Sequence, residues 1–284
     1  MSETEFHVRE ASTSSTATSP RVKPAPKASK IPVPFQYTPS DDGTDENLLI
    51  LLHGLGDTEI PFWKLGKSLK LPQTAVLALR APEQIPYLYE NAYQWYTSFD
   101  ELGEMIERPN PTPALEVLSK TVDHLTKDCL WPVPRIHFFG FAQGGSVAAE
   151  FGLDWWKRQL QNSKSLTASS AQEGADQSPP PLLSFGTIVT VSGPLLSYPT
   201  LSKPCPTPLL IVHRPPPAET ALPNGAVNSF KKGYSHVVEA KLGSKPEGMP
   251  SSKQEWEPIM RFWSERLSRR QVDGLYEVMS GMST

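Results

Sequence analysis

The sequence predicts an α/β protein with a mainly parallel central sheet and helices on both faces. Short apolar runs alternate with longer segments of helical periodicity, which is the pattern of a sheet wound with crossover helices. Two of these runs are the clearest. Leu48–Leu52 is an apolar run that ends at a loop, and Arg135–Phe139 leads through the glycine-rich turn Gly140–Gly145 into a helix-like segment. A chain of 284 residues is long enough to bury one large core of this kind.

Seven short segments have the apolar and β-branched content of strands. They are residues 33–38, 48–53, 75–79, 135–139, 185–191, 208–212 and 236–242. Together they place a single domain at residues 35–270, which is within the usual range for one domain.

Helices are predicted between these strands from apolar stripes and from residues that favour helix starts. Thr112 and Pro113 resemble an N-cap followed by proline in the first turn, and apolar residues then recur on one face, which predicts a helix over 113–130. The segment from Gly145 onward is helix-like. Ser252 and Glu255 form a capping-box pattern at the start of the last helix. The apolar stripe of that helix is Trp256, Ile259, Met260, Trp263 and Leu267.

Three segments have compositions typical of disorder. Residues 1–34 are rich in Ser, Thr, Pro and Lys, residues 161–181 form a polar insertion, and residues 271–284 are expected to fray. Within the first of these, Arg21 to Pro34 has the proline content of a polyproline-II segment. It is a candidate contact for an SH3- or WW-type partner, with a solvated linker as the alternative.

Composition narrows the function classes. The net charge is −3 and 38% of residues are hydrophobic, so neither a nucleic-acid-binding surface nor a transmembrane segment is expected. Cys129 and Cys205 form no metal-type cluster, and neither a metal nor another cofactor is predicted. Because no secretory leader is recognised and cysteines are few, a cytoplasmic location is expected.

The turn Gly140–Gly145 has the sequence GFAQGG, which carries the strongest functional signal. In the pattern G-x-S-x-G, a sharp strand-to-helix turn displays a serine nucleophile above the sheet of an α/β-hydrolase. Here Gly140 and Gly144 are kept, but Ala142 stands at the serine position. The turn is therefore predicted to form without a nucleophile.

A second motif supports the same fold and extends the resemblance. His53–Thr58 (HGLGDT) follows the apolar run 48–52, as an oxyanion-hole loop follows its strand. With both motifs, the chain resembles the acyl-protein thioesterase and small carboxylesterase (lysophospholipase-like) family of the α/β-hydrolase superfamily. Looser matches occur at five further places, which are Arg80–Pro82, Trp95–Tyr96, Val191–Gly193, Pro208–His213 and Gly248–Met249.

The resemblance implies where the other two residues of a catalytic triad would stand. In the family, the aspartate follows the strand that here ends at Val212, and the corresponding position is Pro217. The family's histidine follows a Gly-Met pair, and the corresponding position is Pro250. The nucleophile, acid and base positions are thus Ala142, Pro217 and Pro250, and because the members of a triad act as one unit, little activity is expected by that route.

Other residues are candidates for a rebuilt or binding site. Ser192 and His213 end neighbouring predicted strands and form one conceivable relocated pair, although both also suit ordinary loop positions. The backbone N–H groups of Leu55 and Gln143 are expected to form an oxyanion-type nest. Trp95 and Tyr96 are candidates for a ligand pocket, with core packing as the alternative.

Three functions are compatible with this pattern. The first is a noncatalytic protein, or pseudoenzyme, that binds an acylated ligand or a protein partner. The second is an active carboxylic ester or thioester hydrolase, similar to a palmitoyl-protein hydrolase, that uses relocated residues. The third is a structural subunit with a filled cleft. The sequence favours the first, because the scaffold motifs are intact beside three substituted positions.

Overall fold

A computed structural model describes residues 7–9, 22–86, 91–173, 181–243, 248–270 and 277–279. The strands are β1 (His7–Arg9), β2 (Phe35–Thr38), β3 (Asn47–Leu52), β4 (Thr74–Leu79), β5 (Glu83–Gln84), β6 (Tyr93–Gln94), β7 (Ile136–Phe141), β8 (Thr187–Val191), β9 (Leu209–His213), β10 (Val237–Lys241) and β11 (Glu277–Met279). The helices are α1 (Glu59–Ser68), α2 (Thr112–Lys127), α3 (Gln143–Glu173), α4 (Ala226–Gly233) and α5 (Lys253–Ser264), with a 3₁₀ turn at Val133–Arg135.

A seven-stranded sheet forms the centre of the molecule, in the order β10-β9-β8-β7-β3-β4-β2. Strand β2 pairs antiparallel with β4, and the other neighbours pair parallel. Strands β3, β4 and β8 are buried along their whole length, as expected for parallel strands covered on both faces. The predicted fold class is confirmed, and all seven strands of the central sheet were predicted within two residues at each end.

The two faces of the sheet bury separate apolar clusters, and β7 contributes to both. Phe138 packs in the cluster that includes Leu118 of α2 and Phe151 of α3. Phe139, on the opposite face, packs in the cluster that includes Phe62 of α1 and Trp263 of α5. This alternation follows from the two-residue period of a strand. Packing on both faces fixes β7 between the two helix layers, and it thereby positions the turn at the carboxyl end of the strand.

Helices α1 and α4 were not predicted, and the other three helices differ from the predictions mainly in extent. Helix α2 starts at Thr112 and ends at Lys127, and the predicted cap of α5 is confirmed, since Ser252 Oγ accepts a hydrogen bond from the N–H of Glu255 at 3.3 Å. Helix α3 continues to Glu173, so residues 161–173 of the expected disordered insertion are helical. Good helix formers such as Leu, Lys, Gln and Ala in this stretch explain the extension. The remainder of that insertion, except for Pro181, lies outside the described residues.

Residues 22–34 form a strap on the domain, although their composition predicted part of a disordered tail. Ile31 and Val33 are buried in the core cluster shared with α2. The N–H of Lys23 donates to Asp45 Oδ2 at 2.8 Å, and the N–H of Lys27 donates to His124 Nε2 at 3.0 Å. Two apolar side chains and two fixed N–H groups therefore order a segment that is otherwise polar and proline-rich. An SH3- or WW-type contact through it stays a prediction, and it would compete with these contacts.

Small strands outside the central sheet were not predicted. Strands β5 and β6 form an antiparallel pair of two residues each near the turn that follows β4. Strands β1 and β11, which lie in the expected terminal tails, pair antiparallel with Val8 opposite Val278. Within the described ranges, no helix combines the length and the apolar content needed to span a membrane.

Candidate functional site

The turn between β7 and α3 has the geometry of a nucleophile elbow. Ala142 has φ +46°, a left-handed conformation that a residue with a Cβ rarely adopts. Its N–H donates to Val191 O at 2.8 Å, and its carbonyl accepts from Ser146 N at 3.0 Å. The strained turn is therefore kept with a methyl group at the position where a hydroxyl would stand.

The glycines of the turn are required by close backbone contacts. A Cβ on Gly140 would overlap the backbone of Gly144, and a Cβ on Gly144 would overlap the carbonyl oxygens of Leu52 and His53, in each case closer than 3.0 Å. Because backbone atoms cannot rotate aside, side chains are excluded at both positions. Glycine at both positions thus allows the turn to pack directly against the end of β3.

The loop after β3 is braced by the side chain of His53. Its ring is fully buried, with Nε2 accepting from Ala81 N–H at 2.9 Å and Nδ1 lying 2.7 Å from Gly54 O. These contacts require a neutral ring with its proton on Nδ1. Burial lowers the pKa of His53, which agrees with that state. His53 therefore supports the loop and is not free to act as a base.

Gln143 fixes the segment after β6 to the elbow. Its side-chain oxygen accepts from Trp95 N at 2.9 Å, and its Nε2 donates to Tyr96 O at 2.9 Å and to Ser98 Oγ at 2.7 Å. Trp95 Nε1 in turn donates to His53 O at 2.8 Å. The segment, the elbow and the loop after β3 form one hydrogen-bonded unit, so the side chain of Gln143 is fully occupied by structural contacts.

Trp95 and Tyr96 are buried within this unit. The first is 0% exposed and the second 6% exposed, and burial raises the pKa of Tyr96 to about 12. Neither side chain therefore presents an open face to solvent in this structure. Their predicted contact with a ligand stays a prediction.

The N-terminus of α3 lies at the elbow and leaves backbone donors available. Among the described residues, no backbone hydrogen bond uses the N–H of Leu55 or that of Gln143. A helix N-terminus carries partial positive charge, so N–H groups here favour an anionic or carbonyl oxygen. Leu55 itself is 41% exposed, which leaves its loop accessible. The loop after β3 and the start of α3 thus supply the unpaired N–H groups that the predicted nest requires. Binding of an oxygen atom by these groups stays a prediction.

The loops that carry the other two substituted positions converge beside Ala142. The ring of Phe141 fills the space between two glycines, since a Cβ added to Gly54 or Gly248 would lie 2.8 Å from it. The methyl group of Thr220 would lie 2.9 Å from the same added Cβ of Gly248. The loop after β3, the loop that follows Pro217 and the loop that precedes Pro250 therefore meet around one residue, next to the elbow.

Pro217 and Pro250 differ in their surroundings. Pro217 is exposed, whereas Pro250 is buried directly before α5, and its carbonyl accepts from Trp256 Nε1 at 3.1 Å. Neither ring supplies a carboxylate or an imidazole. In this chain, the three positions singled out from the sequence therefore hold a methyl group and two pyrrolidine rings.

A buried ion pair, which sequence reasoning missed, connects the last two of these loops. Arg214 is 0% exposed and contacts Glu255 through two hydrogen bonds, Nη1 to Oε1 at 2.9 Å and Nη2 to Oε2 at 3.1 Å. The same guanidinium donates to Gly243 O at 2.8 Å and to Met249 O at 3.1 Å. An arginine directly after a buried strand was the available signal. In the sequence, Glu255 matches a capping box, and that pattern does not indicate an ion pair with Arg214.

Ser192 and His213 lie at neighbouring strand ends, as predicted, but their side chains make different contacts. In the register, Val191 pairs with Val212, which places the two residues at the same edge of the sheet. His213 Nε2 lies 2.9 Å from Glu239 Oε1, and this bond lowers the pKa of Glu239. Ser192 Oγ is buried and has no hydrogen-bond partner among the described atoms. No described hydrogen bond joins the pair.

Other polar groups near the elbow have structural partners. Glu150 of α3 is 5% exposed and accepts from Leu196 N at 2.7 Å and from Ser197 N and Oγ at 2.8 and 2.7 Å. It holds the loop that follows β8. Within the described ranges, no group of three or more His, Cys, Asp or Glu residues is arranged to bind a metal ion.

Comparison with known proteins identifies the family of the chain. A profile of the Phospholipase/Carboxylesterase family matches residues 37–163. An uncharacterized hydrolase from Mycosarcoma maydis is 36% identical over 239 residues, which cover 83% of this chain and 82% of that protein. The chain belongs to the phospholipase/carboxylesterase family.

Three further comparisons concern either part of the sequence or the fold. An uncharacterized hydrolase from Schizosaccharomyces pombe is 33% identical over 114 residues, 38% of this chain and 47% of that protein. The solved structure of esterase PE8 aligns with a TM-score of 0.63 at 19% identity, covering 83% of this chain and 99% of that chain. Acyl-protein thioesterase 2 from Zea mays aligns with a TM-score of 0.59 at 18% identity, covering 83% and 100%. These structures support the α/β-hydrolase fold alone.

Proposed function

We propose that this family member is a noncatalytic protein that binds an acylated ligand or a protein partner at the carboxyl edge of its sheet. One observation carries the proposal. The turn at Ala142 keeps the left-handed backbone of a nucleophile elbow, and Ala142, Pro217 and Pro250, the positions that the resemblance assigns to the triad, offer no nucleophile, acid or base. Removing a complete triad lowers turnover by about a millionfold in enzymes that use one.

Binding is supported by the groups that remain. The N–H of Gln143 is available at the N-terminus of α3, where an ester carbonyl or a carboxylate oxygen is favoured, and the N–H of Leu55 is available in the loop after β3. The surrounding loops are tied together by Gln143 and by the pair of Arg214 and Glu255. A site held by such contacts loses little conformational entropy when a ligand binds.

The second candidate is an ester or thioester hydrolase that uses Ser192. The observation in its favour is that Ser192 has φ +57° and a buried hydroxyl without a partner, so it resembles a displayed residue with unused hydrogen-bonding capacity. The nearest predicted base argues against it, because His213 Nε2 is engaged by Glu239. Nucleophile and base must lie within hydrogen-bond reach for this chemistry.

The test is fluorophosphonate labelling of the folded protein with mass-spectrometric mapping of the modified residue, combined with turnover of a short acyl thioester. We expect neither labelling nor turnover. The variant Ala142→Ser serves as a matched comparison and is also expected to be inactive, because Pro250 stands where the resemblance expects the base, and His53 and His213 are held by other contacts. Stoichiometric labelling of Ser192 with turnover that is lost in Ser192→Ala would establish the hydrolase instead.

Ligand binding is measured separately, with a long-chain S-alkyl thioether of N-acetylcysteine as the probe. Its thioether resists hydrolysis, so binding is observed independently of chemistry. We expect a change in tryptophan fluorescence on titration, since Trp95 is anchored to the elbow through Gln143. Absence of any binding by a folded protein would contradict the acylated-ligand form of the proposal. A stable copurifying partner in that case would support the structural-subunit alternative.

A further inference from the structure

The segment from Ser98 to Glu107 forms a tight hairpin beside the elbow. Its ends are joined by the hydrogen bond from Ile106 N to Ser98 O at 2.8 Å, and Phe99 pairs antiparallel with Met105. We refer to residues 98–107 as the acidic hairpin. Its base is held by Gln143, whose Nε2 donates to Ser98 Oγ at 2.7 Å.

The tip of the acidic hairpin is ordered by one aspartate. Asp100 Oδ1 accepts from the N–H groups of Leu102 and Glu104, both at 2.9 Å, and the N–H of Asp100 donates to Glu104 O at 2.9 Å. Gly103 has φ +80°, which suits glycine at a tight turn. The side chains at the tip are therefore presented in a fixed geometry and not by a loosely held loop.

The fixed tip exposes three large apolar side chains. Leu102 is 86% exposed, Met105 77% and Phe99 47%, and the first two are the most exposed large hydrophobic residues in the described part of the chain. Single exposed apolar residues are common on protein surfaces, but a group of them gathered on one preorganised turn is typical of an interaction site. Methionine and phenylalanine are also enriched at protein interfaces.

The charges around these side chains indicate what kind of partner fits. Asp100, Glu101, Glu104 and Glu107 give the hairpin four carboxylates, and no lysine or arginine occurs among residues 98–107. Arg108 follows immediately and offsets one of these charges. An anionic membrane surface would be repelled, whereas a cationic segment with apolar side chains matches both features.

We propose that the acidic hairpin is a docking surface for a cationic, apolar segment of a partner protein. This inference rests on the proposed binding function and deepens it by naming the chemistry of the partner. The anchor at Gln143 places the docked segment beside the elbow, so an acyl group carried by that segment would lie near the free N–H of Gln143 at the start of α3. The hairpin would give affinity and orientation, and the elbow would receive the acyl group.

The test uses the full chain and a fluorescein-labelled helical peptide of about 14 residues composed only of lysine and leucine, a length of four helical turns. Fluorescence anisotropy gives the affinity. Two matched peptides are compared, one with glutamate in place of lysine and one with serine in place of leucine. We expect the lysine–leucine peptide to bind more tightly than either of them. Raising the salt from about 50 to about 300 mM should weaken binding, because exposed charges are then screened.

Three variants separate the hairpin from the rest of the surface. Leu102→Ser with Met105→Ser, and Glu101→Lys with Glu104→Lys, should each weaken peptide binding about tenfold, which corresponds to about 1.4 kcal/mol. Leu130→Ser removes an apolar side chain that is 59% exposed elsewhere, and it should leave the affinity unchanged. None of these variants alters Asp100 or Gly103, which order the turn.

Several results would overturn the proposal. Equal affinity of the wild type and the two hairpin variants, or tighter binding of the glutamate peptide, would show that the hairpin does not dock a cationic segment. Preferential binding to phosphatidylserine vesicles would identify a membrane surface instead. Dimerisation that is lost in the Leu102→Ser and Met105→Ser double variant would identify a second copy as the occupant.

Loss of peptide docking at the hairpin can be distinguished from loss of ligand binding at the elbow. The S-alkyl thioether probe is titrated into the same hairpin variants. Unchanged thioether binding with lost peptide binding places the effect on the hairpin alone. Peptide binding by the wild type without thioether binding would retain the docking surface and contradict the acyl site.

Discussion

Replacing Arg214 with methionine provides the most direct test of how the site's loops are held together. The wild-type guanidinium makes four hydrogen bonds, two to Glu255 and one each to the carbonyls of Gly243 and Met249. Its side chain is 0% exposed and that of Glu255 is 10% exposed. Methionine retains the apolar bulk of the side chain but leaves a buried carboxylate without its counter-charge.

The expected loss follows from that burial. Breaking a buried pair by removing one partner costs about 3–5 kcal/mol of unfolding free energy. For a domain of this size, each kcal/mol corresponds to about 2–4 °C in Tm, so a decrease of about 6–20 °C is expected. Adding Glu255→Leu to Arg214→Met should recover part of the loss, because no uncompensated charge then remains buried. The carbonyls of Gly243 and Met249 would still lack their donor.

Urea denaturation followed by tryptophan fluorescence and circular dichroism measures these differences. Arg261→Met is the matched control. Arg261 lies on α5, the helix that carries Glu255, and pairs with Glu257 at 2.6 Å, but both of these side chains are more than half exposed. This control should cost less than about 1 kcal/mol. The reasoning is refuted if Arg214→Met costs no more than Arg261→Met, or if the double variant is as unstable as the sum of its single substitutions.

Three further predictions concern the scaffold. Gly144→Ala should lower the unfolding free energy by more than about 2 kcal/mol, because the added Cβ would overlap backbone carbonyls, while Gly243→Ala, which meets nothing within 4 Å, should be nearly neutral in the same urea titration. Ile31→Ala should cost about 2–4 kcal/mol because Ile31 is 4% exposed, whereas Val22→Ala, at a position 48% exposed, should cost less than about 0.5 kcal/mol; equal effects would contradict the packing of residues 22–34. Burial lowers the pKa of His137 to about 3, so the unfolded chain binds a proton that the native state excludes, and stability should fall as the pH drops below about 6.5, with a slope that approaches about 1.4 kcal/mol per pH unit near pH 5. His137→Asn should reduce that slope, and an unchanged slope in denaturation curves at several pH values would exclude His137 as its source.

Much of the fold follows from local sequence patterns. Strands β3, β4 and β8 are short apolar runs between loops, and their burial on both faces makes them recognisable without long-range information. The elbow is equally local, since Gly140 and Gly144 are spaced by a turn that tolerates no side chain at either position. The capped start of α5 at Ser252 is also encoded within four residues.

The features that were missed depend on contacts between distant residues. Ile31 and Val33 order the strap only because α2 offers an apolar surface, so composition alone indicated a tail. Arg214 and Glu255 are 41 residues apart, and neither residue type is expected to be buried without its partner. Helix α3 extends into a polar stretch where local composition suggested disorder, although many of its residues have good helix propensity.

The contacts of Gln143 have a consequence for how relatives of this chain are classified. Its amide connects Trp95, Tyr96 and Ser98 to the elbow, and the neighbouring glycines are fixed by steric exclusion. In this chain, the residues around position 142 therefore maintain the architecture of the turn even though position 142 is alanine. A match to the turn motif alone does not establish a hydrolase, and the residue at position 142 has to be examined separately.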